Sequence, residues 1–415
     1  MKAWLVVLLV SVGLVAYSST QYARAEDSAG PGGDDGTPQQ PGSGGSSGPA
    51  ASGSYVVLGY NDLGMHCLNQ DFSQFMVLPP YNNLYAQVIS RSGEDPHLVS
   101  SGVTVSYTIP SNTHSADKTN FWNFVQALLG VNPAPNVGLT GNGLAGNMKP
   151  SGDNDWLATG IPITPVLDNG QTNPYPLATI TVKTSGGQQV ASTQAVVPVS
   201  WEMRCDLCHG GQGGKVTAKN ILQSHDRLHG TNLMAARPVV CGSCHAQPEL
   251  GLSGQPGLPN LSRAMHHAHA SRMGMVSLTN ECYACHPGPE TQCFRDVHLS
   301  HGLTCKTCHK SMTAVANPKR TPWVDEPRCG STACHHVPGH QYEQPGVLYK
   351  RSKGHHSVHC EACHGSPHAI TPTVVPVDNV QAIAVQGHPG TIDTCKVCHG
   401  STPDEPFPHT LSGGD

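Results

Sequence analysis

A five-residue pattern occurs six times between residues 205 and 399: two cysteines separated by two residues, with a histidine directly after the second. The copies are Cys205/Cys208/His209, Cys241/Cys244/His245, Cys282/Cys285/His286, Cys305/Cys308/His309, Cys360/Cys363/His364 and Cys395/Cys398/His399. A seventh stretch, CGSTACHH at 329–336, separates Cys329 from Cys334 by four residues and keeps His335 directly behind. Fourteen of the sixteen cysteines fall in this pattern, so it governs how the second half of the chain can fold.

Three chemistries use paired cysteines. Zinc ribbons carry C-x-x-C pairs, and an even cysteine count in an exported chain suits a disulfide framework. Neither requires histidine after every second cysteine. Histidine makes up 25 of 415 residues, so its sixfold recurrence at that one position is not a coincidence of composition. The pattern reads instead as covalent attachment of c-type haem. Two thiols add across the two vinyl groups on one porphyrin edge, and the adjacent histidine is placed under the ring to ligate iron. At 329–335 the second cysteine and histidine keep that relation. Gly330, Ser331 and Ala333 are small enough to let the longer loop bulge, so a seventh haem is expected. A tethered haem cannot dissociate and can serve as permanent core, which matters in a chain with only 5% aromatic residues.

The rest of the chain divides by composition. Residues 1–25 read as a signal peptide: Lys2, an apolar run from Trp4 to Ala16, and the small-x-small site Ala23-Arg24-Ala25. Residues 26–54 are Gly-, Ser- and Pro-rich and are expected to be a disordered linker. Residues 55–200 read as a mainly β, sandwich-like domain without haem. LYAQVI (84–89), VTVSYTI (103–109) and LATITVK (177–183) are strand-like, and VASTQAVVPV (190–199) completes a hairpin turning near Gly186-Gly187. Phe121, Phe124, Val125, Leu128 and Leu129 share a helix face that Gly130 would cap. Residues 201–411 form the expected haem domain, packed by short helices and loops with little regular sheet.

Residues 26–200 carry 4 basic and 12 acidic residues, and residues 201–415 carry 17 and 16. Neither part shows a basic stripe, so nucleic acid is not an expected partner. No later segment is long and apolar enough to span a bilayer, which places the mature chain in the periplasm or outside the cell.

On its motifs, residues 201–411 resemble the multihaem c-type cytochromes exported by metal- and sulfur-respiring bacteria, among which C-x4-C-H variants occur. DLGMHC (62–67), VLPP (77–80), NTHSADKTNFW (112–122) and GLTGNGLAGNM (138–148) look like an N-terminal region attached to some of them. The resemblance implies extracytoplasmic electron transfer in anaerobic respiration, toward a redox partner protein or an extracellular acceptor, without naming a substrate. Two other readings follow from the same motifs. One is a reductase for nitrite, hydroxylamine or a sulfur oxyanion, which needs one iron with an open face; the C-x-x-C-K form typical of nitrite reduction is absent. The other is a subunit of a conducting filament, self-assembled by histidines shared between copies.

Eighteen histidines remain after the seven motif ones. Candidates for the opposite face of the irons are His225, His229, His266, His267, His269, His298, His301, His340, His355, His356, His359, His368, His388 and His409. From this group His229, His269, His298, His301, His340, His359 and His388 are the expected seven. His225/His229, His266/His269 and His298/His301 share helix faces and could each serve two neighbouring haems. About 210 residues in a compact shape have a radius of gyration near 17 Å, so seven centres would average under about 20 Å apart. Cys67 and Cys293 are left over and could pair. Asp153-Asn154-Asp155 could offer oxygen ligands to calcium, or be a surface loop.

Overall fold

The computed structural model describes residues 53–92, 95–210, 214–338, 342–404 and 409, all within one unit, Ser47–Asp415. The signal peptide and nearly all of the linker lie outside the described residues. The first half holds β1 (Tyr55–Tyr60), β2 (His66–Cys67), β3 (Phe75–Met76), β4 (Leu84–Ser90), β5 (His97–Leu98) and β6 (Val103–Thr108), then α1 (Phe121–Leu129). It continues with β7 (Ala145–Asn147), β8 (Lys149–Pro150), β9 (Trp156–Ala158), β10 (Leu177–Thr184), β11 (Gln189–Val196) and β12 (Val199–Ser200).

Beside a short parallel β12-β2 pair, one sheet runs β1-β4-β9-β8 with β5 against β4, and another runs β11-β10-β6-β7. Period-two patterning decides how they meet. In β10, Ala178, Ile180 and Val182 point inward and join Val57, Ala86 and Val88 of the first sheet in one apolar cluster. Strand β4 is buried along its whole length, because its second face, with Tyr85 and Ile89, is covered by Ala362, Val385 and Val397 from the second half. The β10–β11 hairpin turns at Gly187, whose φ of 82° suits glycine. Helix α1 ends at Gly130, φ 71°, whose N–H donates to the Gln126 carbonyl.

Among its described residues the second half has one two-residue strand, β13 (Val239–Val240), which pairs in parallel with β3. Otherwise it consists of short helices: α2 (Asp206–His209), α3 (Gly214–His229), α4 (Leu261–Ala270), α5 (Val297–Ser300), α6 (Cys305–His309), α7 (Met312–Val315), α8 (Cys360–His364) and α9 (Val380–Gln386), with single 3-10 turns between. Its own apolar interior is thin. Among the described residues, thirty buried apolar side chains lie before residue 201 and eleven after it, and six of those eleven are alanine.

Polar side chains sew the two halves together. Gln381 on α9 places its carboxamide against Gly59, accepting from Gly59 N at 2.7 Å and donating to Gly59 O at 3.1 Å, which covers the free edge of β1. Gln87, wholly buried in β4, accepts from His359 N at 2.8 Å and donates to Ser357 O at 3.2 Å. Ser200 Oγ lies 2.8 Å from Thr291 Oγ1 across the junction, and just beyond it the Glu202 carboxylate accepts from the backbone N–H groups of Gly288, Glu290 and Thr291. Asp153 pairs with Lys353, and Asp155 accepts from Tyr60 Oη at 3.1 Å and from Ser151 Oγ. The Asp153–Asp155 stretch is therefore a clamp between the halves, and among the described residues no group of three or more His, Cys, Asp or Glu is placed to hold a metal ion.

One ionic lock lies within the strand-rich half. Burial disfavours the Asp168 carboxylate, but hydrogen bonds from Lys118 Nζ (2.6 Å), Thr113 N and Thr113 Oγ1 outweigh it and hold the group down to about 2. A folded-state value below the unfolded one contributes stability that is full above about pH 4 and lost as pH falls toward 2. Asp168→Asn should therefore be less stable than wild type at neutral pH, with the difference closing between about pH 4 and pH 2 in denaturant titrations.

Candidate functional site

Each cysteine motif forms one tight turn, and the seven turns are numbered here as sites 1–7 in chain order. At sites 1, 2, 3 and 7 the motif histidine N–H donates back to the carbonyl of the first cysteine: His209 to Cys205 (2.9 Å), His245 to Cys241 (3.0 Å), His286 to Cys282 (2.9 Å) and His399 to Cys395 (2.8 Å). Sites 4 and 6 are the helical turns α6 and α8. Site 5 carries two extra residues, yet His335 N still donates to Cys329 O at 3.0 Å. The insertion is absorbed inside the loop, where Cys334 N bonds Ser331 O at 2.9 Å.

No disulfide joins any of the sixteen cysteines. Cys67 and Cys293 are therefore not paired with each other; both are half-buried and lie near Glu202. Cys244 of site 2 has protein donors around its sulfur, and its Sγ accepts from Gln255 Nε2 at 3.2 Å and from Ser243 Oγ at 3.9 Å. The cause is the loop after site 2, which folds back on the turn: Gln255 N donates to Cys244 O at 2.8 Å, and this brings the Gln255 carboxamide against the sulfur. The sequence motif shows only the spacing of Cys244 from Cys241 and gives no sign of a partner eleven residues further on. A thioether sulfur is no longer a donor but keeps its weak acceptor lone pairs, so these contacts and attachment at Cys244 are chemically compatible.

Opposite each motif imidazole stands one further imidazole. The pairs are His209–His269 at 6.3 Å between ring centroids, His245–His225 at 6.4 Å, His286–His266 at 6.0 Å and His309–His368 at 6.2 Å. They continue with His335–His298 at 6.1 Å, His364–His409 at 5.9 Å and His399–His355 at 5.8 Å. Ring packing can also produce such distances, but it favours particular mutual angles. Here the separation is nearly constant while the interplanar angle runs from 22° to 76°. Two imidazoles bonded to opposite sides of one metal behave this way. Metal–nitrogen bonds of about 2.0–2.1 Å plus about 1.1 Å from nitrogen to ring centre fix the span near about 6.3 Å. Rotation about the bond axis stays free.

Outer contacts prepare these rings. The Nδ1 atoms of His245, His266 and His269 lie 2.9, 2.7 and 2.7 Å from the carbonyl oxygens of Pro259, Ser262 and Met265. His225 Nδ1 lies 2.9 Å from Thr231 Oγ1, and His298 Nδ1 lies 3.3 Å from an Asp296 carboxylate oxygen. A ring that donates from Nδ1 presents an Nε2 lone pair, the ligating form. Burial, then the facing imidazole, favours that neutral form at His286, held down to about 4. Burial and the neighbouring histidines do the same at His364 and His368. Glu361, inside the site 6 motif, is wholly buried, and burial pushes its carboxyl well above the usual range.

Of the seven histidines expected opposite the motifs, His269 and His298 stand there. His229 lies beside His225, 4.8 Å between ring centroids, one helical turn beyond the ring that faces His245. His301 is the residue that ends α5, with site 5 already faced by His298. His359 stacks on Tyr60 and faces the Asp155 carboxylate. His388 is turned toward Thr394 and Asp393. His340 lies outside the described residues. The rings that face the other five motifs are His225, His266, His355, His368 and His409, all within the wider set of fourteen. Only the His266/His269 pair serves two sites; in the other two helical pairs one ring faces a motif.

Compared with protein-family models, curated proteins and solved structures, the chain matches none.

Proposed function

We propose that this chain is an exported electron-transfer protein of the multihaem c-type cytochrome class, carrying seven covalently attached haems in residues 201–411. The observation that carries the reading is the pairing of all seven motif histidines with one further imidazole each, at 5.8–6.4 Å. Haem supplies a one-electron couple when bound. The chain's residues do the rest. Fourteen motif cysteines would tether the haems, and the motif histidines would ligate iron together with His269, His225, His266, His368, His298, His409 and His355. A second imidazole for every motif would leave a bound haem no position for a substrate, which favours a carrier over a reductase. Ligands supplied wholly from within one chain also make shared histidines unnecessary for a filament. We read the two sheets with their common core as a β-sandwich that serves as a scaffold for the haem-bearing loops. The signal-like N-terminus supports a periplasmic or extracellular location, and among the described residues no helix is long and apolar enough to cross a membrane.

Absorption and paramagnetic-resonance spectra of the exported full-length protein, with haem quantitation, test this reading. Seven haems per chain, all low-spin, are expected. His266→Gly should turn one of the seven high-spin and make it bind one equivalent of carbon monoxide in the ferrous state, with added imidazole restoring the low-spin form. His301→Ala and His388→Ala should leave all seven low-spin. Bare thiols in the mature protein, or His266→Gly spectra identical to wild type, would sink it.

A further inference from the structure

We infer that the seven sites are strung in the spatial order 2–1–3–4–5–6–7, so that site 2, not site 1, ends the row. The inference rests on the haem reading above and concerns which sites are neighbours.

Sites 1 and 3 share helix α4. His269 faces site 1 and His266 faces site 3, three residues apart on one helix face, where Cβ atoms lie about 5–6 Å from each other. The two motif turns also touch directly, since Arg204 N donates to Ala284 O at 3.1 Å. Sites 3 and 4 are bound edge to edge. Asn280, which caps the site 3 turn by accepting from Cys282 N, donates to Cys305 Sγ of site 4 at 3.1 Å, and Glu281 pairs with Lys306 at 2.6 Å. Sites 4 and 5 are coupled through α5. His298 faces site 5, while its carbonyl accepts from Leu303 N at 2.9 Å, directly ahead of the Thr304 cap of site 4. Sites 5 and 6 meet at Tyr349, whose N–H donates to Glu326 Oε1 (2.7 Å) before the site 5 loop and whose hydroxyl donates to Gly365 O (2.8 Å) after the site 6 turn. Sites 6 and 7 meet where Ile392 N donates to Cys363 O at 3.1 Å and where Ala362 and Val397 pack in one cluster with Cys398.

Site 2 joins this row at site 1, across α3. Asn220 on that helix donates to His209 O (2.6 Å) and Gly210 O (2.8 Å), and Asn220, Gln223, Ser224 and Arg227 line an open cavity of about 340 Å³ beside Cys208 and His209. The next residue round the helix from Ser224 is His225, which faces His245 of site 2. Sites 1 and 2 thus flank the same turn of one helix, whose diameter with side chains is about 10–12 Å. Between sites 2 and 3 the link is longer. Site 2 touches the start of α4, through Leu261 N to Ala246 O at 3.0 Å and His245 Nδ1 to Pro259 O, more than one helical turn before His266.

Diffraction from crystals of the full-length haem-loaded protein, recorded at the iron absorption edge, locates each iron without reference to activity. Seven peaks are expected, each between one of the ring pairs, with the site 2 iron nearest to that of site 1 and the site 1 iron between those of sites 2 and 3. A site 2 iron nearer to site 3 than to site 1, or a site 1 iron at the end of the row, overturns the order. Absence of iron from the ring pairs would overturn the haem reading itself, so the two failures are distinct.

Discussion

Produced without covalent haem attachment, the chain should keep its strand-rich half folded and lose the ordered structure of residues 201–404. The reason is the shortage of side chains able to make a core. Among the described residues, only five buried apolar side chains larger than alanine lie beyond residue 200: Leu222, Val240, Leu261, Val385 and Val397. Four of these pack in clusters shared with the first half, Leu222 with Phe75, Val240 with Phe72 and Met76, and Val385 and Val397 with Tyr85 and Ile89. Ordering costs about 1–2 kcal/mol per residue in backbone entropy, and this segment has too little apolar surface of its own to offset that. Limited proteolysis of protein expressed without the attachment machinery should leave a resistant fragment ending near residue 200, with rapid digestion beyond it. A full-length resistant chain lacking haem would show that the loops carry their own stability.

Replacing Arg295 by methionine should destabilise the haem-loaded protein by about 3–5 kcal/mol, the range for removing one partner of a buried ion pair. Arg295 is wholly buried. Its Nε and Nη2 donate to the two Asp378 carboxylate oxygens at 2.7 and 3.1 Å, and Nη1 donates to Cys293 O at 3.3 Å. The guanidinium carbon lies 4.5 Å from the centre of the Tyr175 ring, which adds a cation–π contact across the junction with the first half. Methionine would fill much of the volume but leave Asp378 buried with Thr373 Oγ1 as its remaining side-chain donor. The backbone at this position also holds the ring that faces site 4. Arg295 N donates to His368 O at 3.0 Å, holding a residue whose φ is 64°. Chemical denaturation should therefore show the loss, and Arg295→Met/Asp378→Leu, which removes both charges, should recover a large part of it. Equal stability of the single variant and wild type would mean that Asp378 finds another partner or a proton.

Much of the strand-rich half was legible in the chain itself. The alternation in LATITVK and VTVSYTI, the Gly186-Gly187 turn and the Gly130 cap are local signals, decided by which side chains suit a pleated or helical backbone within a few residues. LYAQVI was legible as a strand but not as one buried on both faces, because the cover over Tyr85 and Ile89 comes from residues some 270 or more positions away. The motif turns were legible for the same local reason. Cysteine and histidine at fixed spacing close on each other through a backbone bond, and even the site 5 insertion leaves that bond intact. The contact of Cys244 with Gln255 lay beyond that reach, since it depends on how the following loop returns to the turn.

The facing histidines were not legible one by one. Spacing on a helix shows which rings share a face, as with His225 and His229, but not what lies across from that face. His368 and His409 belong to no helical pair and reach sites 4 and 6 from 59 and 45 residues away along the chain. What the residues alone determined is the number and kind of the cysteine–histidine turns, since each is built within five to seven consecutive positions. Which second imidazole completes each turn, and which turn stands next to which, was decided only by the tertiary structure. Those distances are set by how α3, α4 and the loops around Arg295 pack, and no short-range rule of the backbone reaches that far.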